Sequence, residues 1–219
     1  GQQTWLDELL WREFYQHTLF DFPQLSKHYP FKANTQNIPW RDAPEDLAAW
    51  QQGQTGIPIV DAGMRQLLET GWMHNRLRMI VASFLIKDLL IDWRKGEKYF
   101  QQQLIDYSPA SNIGGWQWAA STGTDAVPYF RIFNPVTQSE KFDASGDFIR
   151  TYLPTLKEVP DELIHQPWKM TELDESLYGV VLGKDYPHPI VVHKTARLKT
   201  LAAYEDSKAY AGDMNELKH

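Results

Sequence analysis

Residues 74–93, HNRLRMIVASFLIKDLLIDW, form the most strongly patterned stretch of the sequence and decide the fold class. Apolar side chains recur there every three or four residues, which is the period of a helix with one buried face. The positions on that face are Leu77, Ile80, Val81, Phe84, Leu85 and Asp88, of which five are apolar. The stretch therefore predicts a long helix, from His74 to about Trp93, that packs in a protein core.

The residues that precede this helix carry further helix signals. Thr4 fits the N-cap of a helix from Trp5 to about Phe22, which Pro23 ends. Its apolar stripe consists of Leu6, Leu9, Leu10 and Phe14. Asp42–Glu45 has the pattern of a capping box before a short helix that ends at Gly53. Another helix is predicted to follow Pro58 and to stop at Gly71.

Helical signals continue beyond residue 93. We expect helices at about Gly96–Ile105, Asp147–Leu153 and Val192–Tyr210. Residues 106–146 are rich in Gly, Pro, Ser, Asn and Thr. They predict a mostly irregular region, with one short helix around Trp116, and long irregular regions in compact domains are usually functional. Strand signals are few and repeats are absent, so the predicted fold class is all-α.

Composition excludes several kinds of site. The sequence has no cysteine, which rules out disulfides, thiolate metal ligands and a cysteine nucleophile. Its seven histidines lack paired metal-ligand spacing, and the serine-hydrolase, phosphate-loop and dinucleotide glycine motifs are missing. No apolar run approaches the roughly 20 residues of a membrane span, and no secretory leader is recognisable. We therefore expect a cytoplasmic protein without a metal ion.

The formal net charge of −6 argues weakly against a nucleic-acid partner, but the charges are unevenly distributed. Residues 72–141 contain 8 Lys and Arg against 6 Asp and Glu, whereas residues 1–71 contain 5 against 9 and residues 142–219 contain 9 against 13. A basic surface can therefore form on this acidic protein.

The first helix carries a second stripe beside its apolar one. Glu8, Trp11, Arg12 and Tyr15 are spaced i, i+3, i+4, i+7 and share one face. One interpretation is a solvated face with a Glu8–Arg12 ion pair, worth about 0.3–0.5 kcal/mol. The alternative is a ligand-binding face, favoured by the aromatic ring of Trp11 on a side otherwise suited to water.

The helix that begins at His74 also has a second stripe, formed by Asn75, Arg78, Met79 and Ala82. Asn75 and Arg78, one turn apart, suit a planar polar ligand against which Met79 packs. Alternatively, Arg78 is a buried structural residue paired with Asp106. Arg76 points elsewhere and is suited to a phosphate.

The segment from Asp106 to Trp118 is the third candidate. Gly114 and Gly115 allow a sharp turn or a close approach to a ligand. Asp106 and Asn112 would bring short polar groups to the rim of whatever this segment encloses. The signal of two glycines followed by aromatic residues is weak by itself.

These segments closely resemble the photolyase/cryptochrome family, specifically bacterial photolyases that act on cyclobutane pyrimidine dimers. The matching stretches are WLDELLWREFY (5–15), PIVDAGMR (58–65), GWMHNRLRM (71–79), GGWQW (114–118) and YFRIFNP (129–135). The resemblance implies that residues 1–219 form one helical FAD-binding and DNA-binding domain, the C-terminal half of a longer protein whose N-terminal α/β antenna domain is absent. An antenna pigment is expected only with that missing domain.

The resemblance also implies roles for individual residues. Positions that match the FAD site are Trp5, Arg12, Asn75, Arg78, Asp106, Tyr107, Ser108 and Asn112, with Asn112 near the reactive N5 edge of the flavin. Positions that match the binding of a flipped dimer or adjacent DNA are Glu8, Trp11, Arg12, Asn75, Arg76, Met79, Trp118, Arg131 and Gln138. Glu8 and Asn75 are the implied catalytic groups, because they meet the base edges of the dimer.

Three tryptophans match the family's electron-transfer chain, which photoreduces an oxidised flavin: Trp40, Trp93 and Trp116. From the sequence alone they could equally be plain core residues, since tryptophan buries a large area.

The implied activity is light-driven repair of pyrimidine dimers in DNA by a monomer, with an electron passing from excited reduced FAD to the dimer and back. Two alternatives remain: a signalling cryptochrome without repair activity, and a helical scaffold without cofactor. One departure bears on FAD binding, because Tyr107 and Ser108 stand where many relatives have Gly-Asp. The family normally also has, before this segment, a Ser/Thr-rich loop that grips the FAD diphosphate, and the sequence given begins after that loop. We therefore expect the chain, as given, to bind FAD weakly or not at all.

Overall fold

A computed structural model describes residues 2–124 and 131–216, with side chains for residues 3–124 and 131–208. The helices are α1 (Gln2–Asp21), α2 (Pro44–Gln51), α3 (Pro58–Thr70), α4 (Asn75–Ser83), α5 (Trp93–Gln103), α6 (Pro109–Ala119), α7 (Pro135–Phe142), α8 (Asp147–Tyr152), α9 (Asp161–Ile164), α10 (Glu172–Tyr178) and α11 (His193–Glu216). Within these ranges no strand forms beyond one isolated bridge, Leu182 to Tyr186. The all-α prediction is confirmed. Tyr129 and Phe130, from the fifth matching stretch, lie outside the described residues.

The core lies where α3, α4 and α5 meet residues 149–186, and α3 forms as the sequence predicts. Pro58 opens α3, where its missing N–H costs nothing, and Gly71 ends it with φ +67°. A left-handed backbone of this kind favours glycine, which has no Cβ. None of the described helices combines the length and the apolarity that crossing a lipid bilayer requires.

The predicted helix from His74 to Trp93 has the right buried face but the wrong length. All six positions of its apolar stripe are at most 8% exposed. However, α4 ends at Ser83 and continues as one π-helical turn, Phe84–Asp88. The chain then leaves the helix, with Leu90 at φ +51°. A new helix, α5, begins at Trp93, capped by the Asp92 side chain, which accepts from the N–H of Arg94.

Contacts with α11 fix this interruption. Thr200 on α11 donates to the carbonyl of Lys87 at 2.6 Å, and His193 pairs with the carboxylate of Asp88. The ammonium of Lys87 is buried and donates to Ser121 at 3.0 Å. Partners this distant in sequence therefore hold the turn, although the second carboxylate oxygen of Asp88 stays buried without a hydrogen-bond partner in the described structure.

The first helix differs from the prediction at its start and in its burial. It spans Gln2–Asp21, so Thr4 lies inside the helix and is not its N-cap. Its four predicted stripe residues are between 37% and 68% exposed, so they do not enter the core of the described structure. The predicted end just before Pro23 is correct to within one residue.

Other predicted boundaries were wrong for local reasons. Asp42 and Glu45 form no capping box, because the N-cap of α2 is Ala43, without a side-chain bond, and Asp42 instead pairs with Lys95 at 3.2 Å. In the described part of the region 106–146, α6 contains Trp116 and confirms the short helix predicted there, but it is longer than expected, and α7 was not predicted; each is opened by a proline in its first turn. The abundance of Gly, Ser and Asn concealed these helix starts. The short helices α9 and α10 were also missed.

Candidate functional site

The second stripe of α1 is open to solvent and lacks its predicted ion pair. Trp11 is 56% exposed and lies edge-on to Phe14, with ring centroids 5.7 Å apart. No ion pair joins Glu8 to Arg12 in the described part of the chain. The interpretation of this face as a solvated surface with a Glu8–Arg12 ion pair therefore loses its main support. The face presents an exposed tryptophan, Trp11, between two charged residues that are not paired with each other.

Gly114 lets α1 pack closely against α6. A Cβ at Gly114 would lie 2.2 Å from Cδ1 of Tyr15, so only glycine fits there. A Cβ at Gly115 would meet nothing within 4 Å. The two glycines thus do not form a turn, as the sequence suggested, because both lie inside α6. One allows helix packing, and the other leaves open space beside the helix.

The second stripe of α4 contains a fixed charge pair. Nη2 of Arg78 lies 3.1 and 2.8 Å from the two carboxylate oxygens of Asp106, and Nε donates to the carbonyl of Met73 at 2.7 Å. The predicted pairing of Arg78 with Asp106 is therefore confirmed. The pair is not buried, however, since the two side chains are 27% and 45% exposed. The N–H groups of Arg78 that neither Asp106 nor Met73 engages can therefore reach a ligand at the surface.

Helix α6 connects the two predicted stripes, because α1 and α4 both pack against it. Asn75 is exposed and Met79 is half-buried on α4. Glu8 is exposed on α1. The two helices that carry the candidate polar and aromatic groups therefore share one neighbour.

Asn112 on α6 is held by Glu97, a residue that the sequence analysis missed. The amide Nδ2 of Asn112 donates to Oε1 and to the backbone carbonyl of Glu97, at 2.9 and 3.1 Å. Glu97 is only 1% exposed, and its other oxygen lies 3.1 Å from Nε2 of His28. Because Nδ2 is engaged, Asn112 presents its carbonyl oxygen Oδ1, an acceptor with no donor among the described residues.

A signal for Glu97 was present in the sequence. Trp93, Glu97 and Phe100 are spaced i, i+4, i+7 on α5, which places an acidic residue within the buried face. Next to it, burial first and the Glu97 charge second raise the pKa of Tyr107. Tyr107 and Ser108 are both half-buried and precede α6 directly.

Arg76 connects the start of α4 to α7. Its guanidinium lies 4.8 Å from the ring centroid of Phe142, a cation–π contact. Gln138, which also lies on α7, has a buried Oε1 with no hydrogen-bond partner in the described structure. An unsatisfied buried acceptor costs free energy, so its presence in a candidate site suggests a missing donor.

Trp118 is linked to the segment of Arg131 by Phe133, which packs near Trp118 and lines a cleft together with Arg131. The rings of Trp118 and Phe133 are 6.3 Å apart. Trp118 is half-buried, whereas Arg131 is exposed. The aromatic groups needed for stacking are therefore partly accessible here.

Two of the three candidate electron-transfer tryptophans are core residues. Trp93 is 1% and Trp116 2% exposed. Trp116 packs on α5 at Gly96, where a Cβ would lie 2.2 Å from its ring, and its centroid is 5.0 Å from that of Phe100. Trp40 is half-buried, packs edge-on against Tyr204 at 6.1 Å and has an unpaired buried Nε1. Their role in electron transfer stays a prediction.

No group of three or more His, Asp or Glu side chains suited to a metal ion occurs in residues 2–124 and 131–216. The groups available to a ligand are therefore hydrogen-bonding, cationic and aromatic side chains.

Comparison with known proteins gives a consistent result. Residues 5–206 match the family model described as the FAD binding domain of DNA photolyase. The chain is 63% identical over 205 residues to the deoxyribodipyrimidine photo-lyase of Escherichia coli (strain K12), which covers 94% of this chain and 42% of that protein.

Solved structures also resemble this chain. A bacterial class III photolyase from Agrobacterium tumefaciens superposes with a TM-score of 0.91 at 51% identity, covering 94% of this chain and 42% of that one. A cryptochrome from Synechocystis sp. PCC6803 gives a TM-score of 0.87 at 40% identity, covering 92% of this chain and 41% of that one. The chain thus spans less than half the length of each.

Proposed function

This chain belongs to the family of FAD-binding domains of DNA photolyases, and on that premise we propose that it binds FAD and damaged DNA for the light-driven repair of cyclobutane pyrimidine dimers. The observation that carries this proposal is the exposed polar and aromatic face of α1, packed against the same helix as α4. Trp11 on that face is 56% exposed, although tryptophan is normally buried. A flat, accessible indole suits the face of a base that has left the DNA stack.

The residues present fit a flavin. Oδ1 of the half-buried Asn112 is an acceptor without a donor among the described residues, and Arg78 and Asp106 supply a donor and an acceptor at the surface. Gly115 leaves room beside α6 for a ring to approach. Trp5 and Arg12 on α1, and Tyr107 and Ser108 before α6, would complete the binding of FAD. Reduced FAD, when bound and excited by light, supplies the electron that opens the cyclobutane ring.

The chain's own residues would bind and orient the lesion. A dimer within duplex DNA is inaccessible, and a damaged pair leaves the stack at the lowest cost. Trp11 and Trp118 would form apolar walls, with Met79 packing beside them. Glu8 and Asn75 would bind the polar base edges and stabilise charge that develops there.

Three further residues would contact the duplex itself. Arg76 and Arg131 would bind backbone phosphates, and each phosphate neutralised makes the log–log salt slope of binding more negative by about 0.9. Gln138 would enter the gap that the flipped dimer leaves. Gln138 lies on α7, the helix whose Phe142 contacts Arg76.

The tryptophans Trp116, Trp93 and Trp40 would carry electrons between the flavin site and the protein surface. The partial exposure of Trp40 supports its place at the surface end, since Trp116 and Trp93 are both buried.

Dark binding to DNA tests the proposal with this chain. In the presence of excess FAD, fluorescence anisotropy should show tighter binding to a duplex with one thymine dimer than to the undamaged duplex. Equal affinity for both would overturn the proposal. Blue light should also cleave dimers in the presence of the gene product that contains this chain, and not in the dark. Flavin binding without cleavage would favour the cryptochrome alternative.

Flavin content is a separate measurement. We expect the purified chain to show little or no flavin absorbance. Tyr107 and Ser108 also lack the second acidic group that many relatives place near the flavin. A stoichiometric flavin spectrum would contradict that expectation and leave the repair proposal intact.

A further inference from the structure

A cleft of about 300 Å³ lies between residues 131–133 and helix α11, and two arginines line it. Arg131 comes from the first segment and Arg197 from the helix, while Ile132, Phe133 and Leu201 supply apolar surface. Both arginines are exposed. Within the described ranges neither guanidinium has a hydrogen bond or an ion pair. Two cations therefore meet at one concave surface without an anion to compensate them.

The chemistry of this cleft suits a phosphodiester. Guanidinium groups bind phosphate oxygens in pairs, through planar donors in a fixed geometry. The apolar surface suits the sugar that adjoins a phosphate in a nucleic acid, whereas a free inorganic anion would leave it uncovered.

Helix α11 adds a second cation on the same side. Lys194, Arg197 and Leu201 are spaced i, i+3, i+7, so they share one face of the helix. Lys199, two residues from Arg197, lies on a different face and does not line the cleft. Lys194 does not line the cleft either, so Arg197 is the basic residue that α11 brings to it.

The cleft is continuous with the candidate lesion site. Phe133 lines the cleft and lies 6.3 Å, ring to ring, from Trp118. The backbone N–H of Phe133 donates to Ser83 at the end of α4, at 3.4 Å. A DNA strand whose dimer stacks near Trp118 would thus pass its adjoining backbone over the cleft.

We propose that Arg131 and Arg197 together hold one backbone phosphate of the DNA strand, next to the flipped dimer. This inference rests on the proposed function and adds to it a residue of α11, a helix with no other assigned contact to DNA. The phosphate is held only when both arginines are present, so the loss of either releases it and their contributions to binding are not independent.

The test compares Arg197→Gln, Arg131→Gln, the double variant and the control Lys199→Gln, each with excess FAD in the dark. All four remove exposed charges, so unfolding midpoints should stay together, and this is checked by circular dichroism. Affinities for dimer-containing and undamaged duplexes are measured across a range of salt concentrations. Arg197→Gln should bind both duplexes about fivefold more weakly than Lys199→Gln. Its log–log salt slope should be less negative by about 0.9, the effect of one phosphate.

The double variant decides whether the phosphate is shared. Its slope should also differ by about 0.9, as in the single variants, whereas a difference of about 1.8 would indicate two separate phosphates and overturn the proposal. A slope of Arg197→Gln equal to that of Lys199→Gln would overturn it as well. If the unmodified chain prefers the dimer in that case, the proposed function stands and only the role of Arg197 fails. If the unmodified chain shows no preference for the dimer, the proposed function fails first.

Discussion

Replacing Asp61 with asparagine removes the negative charge at the centre of a buried hydrogen-bond network. Asp61 lies in the first turn of α3 and is fully buried. One carboxylate oxygen accepts from the N–H and the hydroxyl of Thr55, at 2.7 and 2.6 Å. The other accepts from the N–H of Gly56 at 2.9 Å and from the hydroxyl of Tyr186 at 2.6 Å. Four donors and no acceptor face this side chain, so its two oxygens are satisfied as acceptors, but burial disfavours their negative charge and outweighs these bonds in setting the pKa of Asp61.

An asparagine can satisfy only part of this network. Its carbonyl oxygen can replace the acceptor of the two Thr55 bonds, and its NH₂ group then faces Gly56 and Tyr186. The hydroxyl of Tyr186 can rotate to accept, but the N–H of Gly56 is left facing another donor. An unpaired buried N–H costs about 1–3 kcal/mol, and the charge-assisted bonds are also lost. We therefore expect Asp61→Asn to lower the free energy of unfolding by about 3 kcal/mol.

Urea unfolding followed by circular dichroism measures this loss at pH 7.5. The melting temperature should fall by roughly 6–12 °C, given about 2–4 °C per kcal/mol for a chain of this size. The matched control is Asp206→Asn, the same change at an exposed position of α11, which should stay within about 0.5 kcal/mol of the unmodified chain. A loss for Asp61→Asn as small as that of the control would refute the argument that these four donors need two acceptor oxygens.

Three further predictions concern pH, helix packing and the lesion site. Burial raises the pKa of Asp61 to about 6, above its ordinary 3.8, so the stability that this shift contributes is present at low pH and is lost as the pH rises through 6. The difference in unfolding free energy between the unmodified chain and Asp61→Asn should therefore be about 1.4 kcal/mol larger at pH 5 than at pH 7.5. A difference that is smaller at pH 5 would contradict this pH dependence. Gly114→Ala should displace α1, because its Cβ would overlap a ring of that helix, and hydrogen exchange should become faster in α1; Gly115→Ala, with nothing within 4 Å, is the control that should leave exchange unchanged. Trp11→Ala should weaken dark binding to dimer-containing DNA by about 1–3 kcal/mol through lost stacking, whereas Phe20→Ala, also exposed on α1, should not; equal losses in anisotropy titrations would count against a stacking role.

Local sequence signals predicted those elements whose ends depend on residues nearby. Pro58 and Gly71 determine both ends of α3 through a missing donor and a left-handed backbone, and neither depends on distant contacts. The apolar period likewise identified the buried face of α4. The break after Asp88 was not predictable in this way, since it is held by His193 and Thr200, more than a hundred residues later.

The same distinction applies to the candidate site. The pairing of Arg78 with Asp106 was open in the sequence as one of two alternatives, and the structure confirms it. Of the two alternatives for Gly114, the sharp turn was wrong, because Gly114 lies inside α6 and its missing Cβ makes room for Tyr15 on another helix. Glu97 was overlooked because a single acidic residue on an apolar face carries a weak signal without its partner, Asn112.

Some side chains of the candidate site are held in place before a ligand binds and others are not, and this difference affects the entropy lost on binding. Asn112 and Arg78 are already oriented by Glu97 and Asp106, so little rotamer freedom remains for a ligand to remove. On α1, Trp11 and Arg12 are exposed, and binding must immobilise them. An indole has only two side-chain torsions, so it supplies a large contact area at a low entropic cost. A tryptophan that contacts the lesion from this helix therefore loses less side-chain entropy on binding than a longer, flexible side chain would. For this reason the exposure of Trp11 is compatible with a binding role.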